Sequence, residues 1–421
     1  MRILSLKQAF ATPWQRTLYI IFIGQLITAV GFSSIFPFLP LYVESLGSST
    51  GLSIELLAGL VFSAQAFTMM IASPFWGMLA DRHGRKLMVE RSMFGGAGIL
   101  LLMAFVNSAE QLVILRAIQG LITGTLAAAN ALVASVTPRE RMGYAMGLLQ
   151  VAVGIGVALG PLIGGAVADA FGYSASFFIT SALLFLAGIL VLFGVQENFV
   201  PTEDSQGRGG SFLARWGGLL SMEGVKPTYG LRFMSQLARM MIIPILPLFV
   251  LELLIEDTGV NTFTGLVIGV GAAATTLSAV YLGRLGDRVG HRRVLVVSAF
   301  SAALLYLPSS WVTEGWQLLV LYGLIGVAMG GIIPAISALL VSYTLPGEEG
   351  AVYGLDNSIR AGARSLAPLI GSSVALWFGM RSTFLATSLL FFIAGLLAIW
   401  RLPKPTAEAQ ATPVETQTRH W

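Results

Sequence analysis

Asp356, Arg360 and Arg364 follow one another at four-residue steps in the stretch GLDNSIRAGARSLAPLIG, residues 354–371. On a helix that spacing stacks one acid and two bases along nearly one face, so that Asp356 can pair with Arg360. The surrounding sequence is apolar enough to cross a bilayer, where charged groups are costly and mark ion or substrate paths. Counting 1.5 Å per residue from a helix start near 351, Asp356 lies roughly 8 Å and Arg364 about 20 Å along the span. A self-satisfied pair reaching back to the surface is the bland alternative, and Arg364 lies too deep for it. Two more cations, Arg116 and Arg239, fall inside other apolar runs, Arg239 one turn after Gln236. Uncharged partners for hydrogen bonding are Gln25, Gln119, Asn130, Gln150 and Asn357, and Phe32, Phe36 and Phe249 can line an adaptable cavity between them.

These residues need membrane-spanning elements to hold them. Of the 421 residues, 55% are hydrophobic and only 11% charged, whereas soluble domains carry about 25% charged residues. The apolar runs are long and lack strand alternation, which predicts an all-α membrane protein. Twelve spans are expected at 18–43, 54–78, 87–106, 111–134, 142–168, 174–196, 228–254, 263–284, 293–311, 315–341, 351–377 and 381–401. The first reads as a true span and not a cleaved signal, because its apolar run is too long and has no small-residue cleavage site. Residues 197–227 are polar and glycine-rich and read as a linker, which divides the chain into six-helix bundles at 1–196 and 228–401 with a disordered tail at 402–421. Lys and Arg gather in the loops on one side, at Arg82, Arg85, Lys86, Arg139, Arg141, Arg284, Arg288 and Arg292, with the linker and both termini. By the positive-inside rule that side is cytoplasmic, so both termini are cytoplasmic.

The halves repeat one another. GMLADRHGRK (77–86) recurs as GRLGDRVGHR 206 residues later, and Pro37 with Pro40 recur as Pro244 with Pro247 after 207. GPLIG at 160–164 and FGYSASFFIT at 171–180 recur after 207 as APLIG and FGMRSTFLAT. Six spans per half make the repeats enter the membrane in the same sense, related by an axis along its normal, with a path between the halves. A stretch of small residues in span 5, Gly154, Gly156, Gly160, Gly164 and Gly165 around Pro161, lets that helix pack closely on a neighbour, expected from the other half, as a hinge or seal.

GMLADRHGRK, LRAIQGLITG (115–124) and GVALGPLIGG (156–165) resemble the three signature motifs of the drug:proton antiporter branch of the major facilitator superfamily. PFLPLYVESLG (37–47), ASPFWGMLADRHGRKLMVERS (72–92) and NALVASVTPRERMGYAMG (130–147) narrow the resemblance to MdtG-type multidrug efflux proteins. The resemblance implies a latch at Asp81 with Arg85, in which Asp81 engages the start of span 11 when the carrier faces outward. It implies a link between Arg116 and proton coupling. Asp356 with Arg360 is a second candidate for proton coupling, on the ground of its depth and its pairing within span 11. Asp356 departs from the family pattern, which carries an amide there.

The function expected is therefore a secondary active transporter of the cytoplasmic (inner) membrane, a proton-coupled multidrug efflux antiporter working by alternating access between two pseudo-symmetric bundles. Its partners would be amphiphilic drugs, protons and the bilayer, with no nucleic acid, and a monomer is expected. Gln236, Arg239 and Arg364 are expected to face the substrate cavity, and the alternative that the deep arginines suit is a proton-coupled uptake symporter for a small organic anion. A receptor or scaffold would need a larger soluble part. No enzyme is expected, since no nucleophile–base pair or phosphate loop is present, the three histidines form no cluster and cysteine is absent, so neither metal nor cofactor is called for beyond the proton gradient.

Overall fold

The computed structural model describes residues 12–197, 212–254, 259–344 and 349–403. Every regular element among them is helical. In chain order the spans are Pro13–Ser34 with Leu39–Leu46, Ile54–His83, Arg85–Met103, Ala109–Ile122 with Thr125–Val136, Met142–Phe171 and Tyr173–Gly194. The second half continues with Val225–Met241 and Leu246–Leu253, Val260–Val289, His291–Ser309, Gly315–Met329 with Ile332–Ser342, Glu349–Phe378 and Met380–Trp400. Ten of these are long and apolar enough to cross a membrane by composition alone. Spans 3 and 11 are more polar, span 3 through Arg85, Lys86, Glu90 and Arg91, and span 11 through Asp356, Arg360 and Arg364.

Spans 2 and 3 are joined by Gly84 alone, and spans 5 and 6, 8 and 9, and 11 and 12 by Gly172, Gly290 and Gly379. All four glycines lie at φ between 82° and 98°, a conformation that side chains with a Cβ rarely adopt. The chain thus reverses across the membrane within one residue. Hydropathy does not reveal that four spans are broken. Spans 1 and 7 break at 35–38 and 242–245, beside the paired prolines, and spans 4 and 10 break at Thr123–Gly124 and Gly330–Gly331. Proline removes an amide donor and glycine removes rigidity, so both loosen a helix at these points. Each break recurs at the 207-residue repeat. The segment between the halves is not featureless either: residues Phe212–Ser221 form a helix that packs on spans 7 and 11.

Each half has its own apolar core, two clusters in the first and one large and one small cluster in the second. Odd and even spans run oppositely, so the interhelical linker and the ends of spans 2, 4, 8 and 10 share one side, called near here, and the 47–53 loop lies on the far side. The halves meet along two seams, span 5 on span 8 and span 2 on span 11. A Cβ added at Gly265 of span 8 would strike the Pro161 carbonyl, and one at Gly59 of span 2 would come within 2.9 Å of the Pro368 carbonyl. Gly59 and Gly265 are repeat partners, as are Pro161 and Pro368, so one glycine-on-carbonyl contact is used twice. Toward the near side the close packing ends. Gly77, Gly143, Gly147, Gly354 and Gly362 have nothing within 4 Å of a Cβ position. The molecule is closed toward the far side and open toward the near side.

The span 5 glycines divide between two neighbours. Gly165 faces Asn261 and Gly154 faces Thr276 across the seam, whereas Gly156, Gly160 and Gly164 face Ala29, Ser33 and Ser34 of span 1. Ser33 donates to the Gly156 carbonyl at 2.8 Å. The expectation that this whole stripe packs against the other half is therefore corrected. Three of its glycines bind span 5 to its own bundle, because a helix with small residues on two faces can be approached from both. The helix passes through Pro161 without interruption.

Candidate substrate and proton path

Span 11 places Asp356 with its side chain 3% exposed and both carboxylate oxygens engaged. Arg360, one turn on, donates Nη2 to Oδ2 at 3.0 Å and is 31% exposed. The second partner comes from span 7: Arg232 donates Nε to Oδ1 at 2.7 Å and is as buried as the acid. Arg232 also donates Nη2 to Ser337 Oγ of span 10 at 2.6 Å, and Tyr229 one turn earlier donates to the Val352 carbonyl at 3.0 Å. Spans 7, 10 and 11 are thus tied at one carboxylate. Two cations satisfy one buried anion, and this relieves the cost that a lone charge would carry in the bundle.

Deeper along the same two spans lie Arg239 and Arg364. Arg239 donates to Gln236 Oε1 at 3.0 Å. Gln236 Nε2 and Arg360 Nε are buried without a partner. Within residues 229–241 and 354–371 these two spans thus carry four arginines against one acid, with donors left over. Asn357 is exposed beside them on span 11.

The first half holds a separate polar centre. Arg116 is 2% exposed, and it donates Nε to the Val61 carbonyl at 3.2 Å and Nη1 to Gln119 Oε1 at 2.7 Å. Its guanidinium lies 5.7 Å from the Phe62 ring centroid. No carboxylate bridges it among the described residues. Gln25 and Gln119 are buried with their amide nitrogens unpartnered.

The other sequence candidates scatter. Phe32 and Phe36 pack on the apolar cluster of the first half, Phe36 with its ring 5.8 Å from Phe62. Phe249 is not a cavity residue: it is fully buried, 5.0 Å from the Phe384 ring, because the break in span 7 turns it into the core of the second half. Asn130 is half-buried, and Gln150 is exposed on span 5. Asp81 falls in the last turn of span 2 with its side chain outside the described set, so the latch with Arg85 is not placed. The backbone amides of Arg85 and Lys86 donate to the Glu197 carboxylate at 3.0 and 2.8 Å.

Two functional-looking cations were missed by the sequence reading. Arg91 of span 3 stacks 3.5 Å over Trp76, and Arg232 completes the Asp356 cluster. Arg232 could have been found, since it stands four residues before Gln236 and seven before Arg239, on one helical face.

A profile of the Major Facilitator Superfamily matches residues 21–225 and 228–421, one stretch for each half. The chain belongs to this superfamily. Among curated relatives of this facilitator, the multidrug resistance protein MdtG of Klebsiella pneumoniae (strain 342) is 37% identical over 399 residues, 94% of this chain and 96% of the relative. MdtG of Enterobacter lignolyticus (strain SCF1) is 38% identical over 379 residues, 89% of this chain and 90% of the relative. Among solved structures, a bacterial homolog of the human lysosomal transporter Spinster, crystallised inward-facing and occupied, superposes with a TM-score of 0.77 at 13% identity, covering 94% of this chain and 100% of that one. The human organic anion transporter MFSD10 superposes with a TM-score of 0.66 at 19% identity, covering 92% of this chain and 100% of that one. At such identities these structures speak for the facilitator fold alone.

Proposed function

We propose that this facilitator is a proton-coupled multidrug efflux antiporter of the inner membrane, acting as a monomer without cofactor or catalytic chemistry, with both termini in the cytoplasm. The observation that carries the reading is the Asp356 cluster. One buried carboxylate is shared by an arginine on its own helix and one on span 7, between Gly354 and Gly362, whose Cβ positions meet nothing within 4 Å. The MdtG relatives support drugs as the cargo. In this reading the two bundles rock about the paired glycine seams, and proton exchange at Asp356 changes which arginines are free while drug enters from the cytoplasm. The surplus of Arg239, Arg360 and Arg364 over acidic groups suits amphiphiles that carry an acidic group among the cargo. The same surplus favours a second reading, uptake of a small organic anion with protons.

Direction separates the two readings. Inverted vesicles from cells expressing the chain, given an imposed proton gradient and no ATP, are expected to accumulate a fluorescent drug and to lose it on adding a protonophore. Accumulation that resists the protonophore and requires ATP would refute the proton-driven reading. Proton-driven entry of an organic anion into whole cells, with no drug accumulation in inverted vesicles, would replace it by the second.

A further inference from the structure

The far-side end of span 5 meets the first turn of span 8. Asp169 of span 5 accepts through Oδ1 from the Asn261 amide at 3.3 Å and from Asn261 Nδ2 at 2.7 Å. Its Oδ2 accepts from the Thr262 amide at 2.7 Å and from the Thr262 hydroxyl at 2.5 Å. Asn261 and Thr262 are the second and third residues of span 8. Amides in a first helical turn have no acceptor within their own helix, and partial positive charge collects there. Span 8 cannot supply a cap of its own, because the residue at its N-cap is Gly259. A carboxylate from one half therefore caps a helix of the other.

Other carboxylates do similar work without crossing between halves. Glu197 caps span 3, and Glu110 accepts from the Ser49 and Thr50 amides at 2.9 and 3.0 Å. Both contacts lie inside the first half and persist however the halves rock. The Asp169 contact cannot persist when the far side opens. The repeat does not copy it either. Leu376 of span 11 stands where Asp169 stands in span 5, and span 2 is capped by its own Ser53, whose Oγ accepts from the Leu56 amide.

We infer that Asp169 is a one-sided clasp that holds the far side shut by capping span 8 across the seam, and that it is released each time the carrier opens outward. Its action is independent of which drug is carried and of where the proton binds. It biases the resting carrier toward the near-side-open arrangement.

The chain contains no cysteine, so paired spin labels can be introduced without background. Leu52 and Trp311 offer exposed far-side positions, one in each half, and Glu140 and Arg288 offer exposed near-side positions. In the full-length protein in lipid, Asp169→Ala is expected to raise the ratio of far-side-open to far-side-closed molecules roughly fivefold, the worth of one lost helix cap. The near-side distance should shorten in the same fraction. Asp169→Asn, which keeps one acceptor and loses the charge, should fall between. Unchanged distance distributions in both variants would overturn the clasp. So would a widened far side with an unaltered near side, since that marks local fraying of span 8. If Asp169→Ala does not fold, Thr262→Ala removes one donor and is expected to give a smaller shift in the same direction; unchanged populations there overturn it equally.

Discussion

Removing Arg232 should cost far more than removing Arg360, although both arginines hold the same carboxylate. Arg232 and Asp356 are each 3% exposed, whereas Arg360 is 31% exposed. Deleting one partner of a fully buried pair leaves a charge that water cannot reach, at about 3–5 kcal/mol. A partner with access to solvent is worth about 0–1 kcal/mol. Arg232→Gln should therefore sit near the lower end of the first range, since Arg360 still touches Oδ2, and Arg360→Gln should stay within the second. Arg232 also loses its bond to Ser337 on span 10, which moves the two further apart. The assay is reversible chemical unfolding in mixed micelles, run as two double-mutant cycles with Asp356→Asn. The coupling of Asp356 with Arg232 should exceed that with Arg360 by about 1 kcal/mol or more. Equal losses for the two arginine variants, or no coupling in the Arg232 cycle, would refute this account. The cycles also bear on transport. Asp356→Asn with Arg360→Gln leaves Arg232 buried and unpaired, so recovery of efflux needs all three charges removed if the cluster is only structural.

Two further outcomes follow from packing. Gly265→Ala places a methyl against the Pro161 carbonyl while Gly77→Ala meets nothing within 4 Å, so drug efflux should fall sharply in the first and remain near normal in the second, measured in membranes matched for protein amount. Phe249→Ala should destabilise the second half by about 3–5 kcal/mol through the cavity it leaves, read as a lowered unfolding midpoint, with the pattern of drugs carried unchanged; a changed pattern would return Phe249 to the cavity.

The spans were legible because long apolar runs have few other uses, and the two-half plan because the 206- and 207-residue repeats survive in GMLADRHGRK and GPLIG. The helix breaks were not, since a hydropathy window averages across Pro37 or Gly124 without registering a turn. The Asp356–Arg360 pair was readable from spacing within one helix. Its partner Arg232 shares a helical face with Gln236 and Arg239 inside the 228–254 run, but its contact with span 11 leaves no trace in spacing. Phe249 illustrates a different limit. A phenylalanine in a core and one in a cavity look alike until the neighbouring helices are in place. Gly156 and Gly165 differ in the same way, by the face each presents.

The four interrupted helices have a consequence for leakage. A carrier that moves drugs across a membrane must pass through a form sealed at both ends, or ions would run through it. Were spans 1, 4, 7 and 10 straight rods, sealing one end would pry the other apart. Because each is two shorter rods joined at residues 35–38, 123–124, 242–245 or 330–331, its ends can tilt separately. The near-side portions can therefore swing inward while the far-side portions stay packed, and the cargo is enclosed before the opposite gate begins to part.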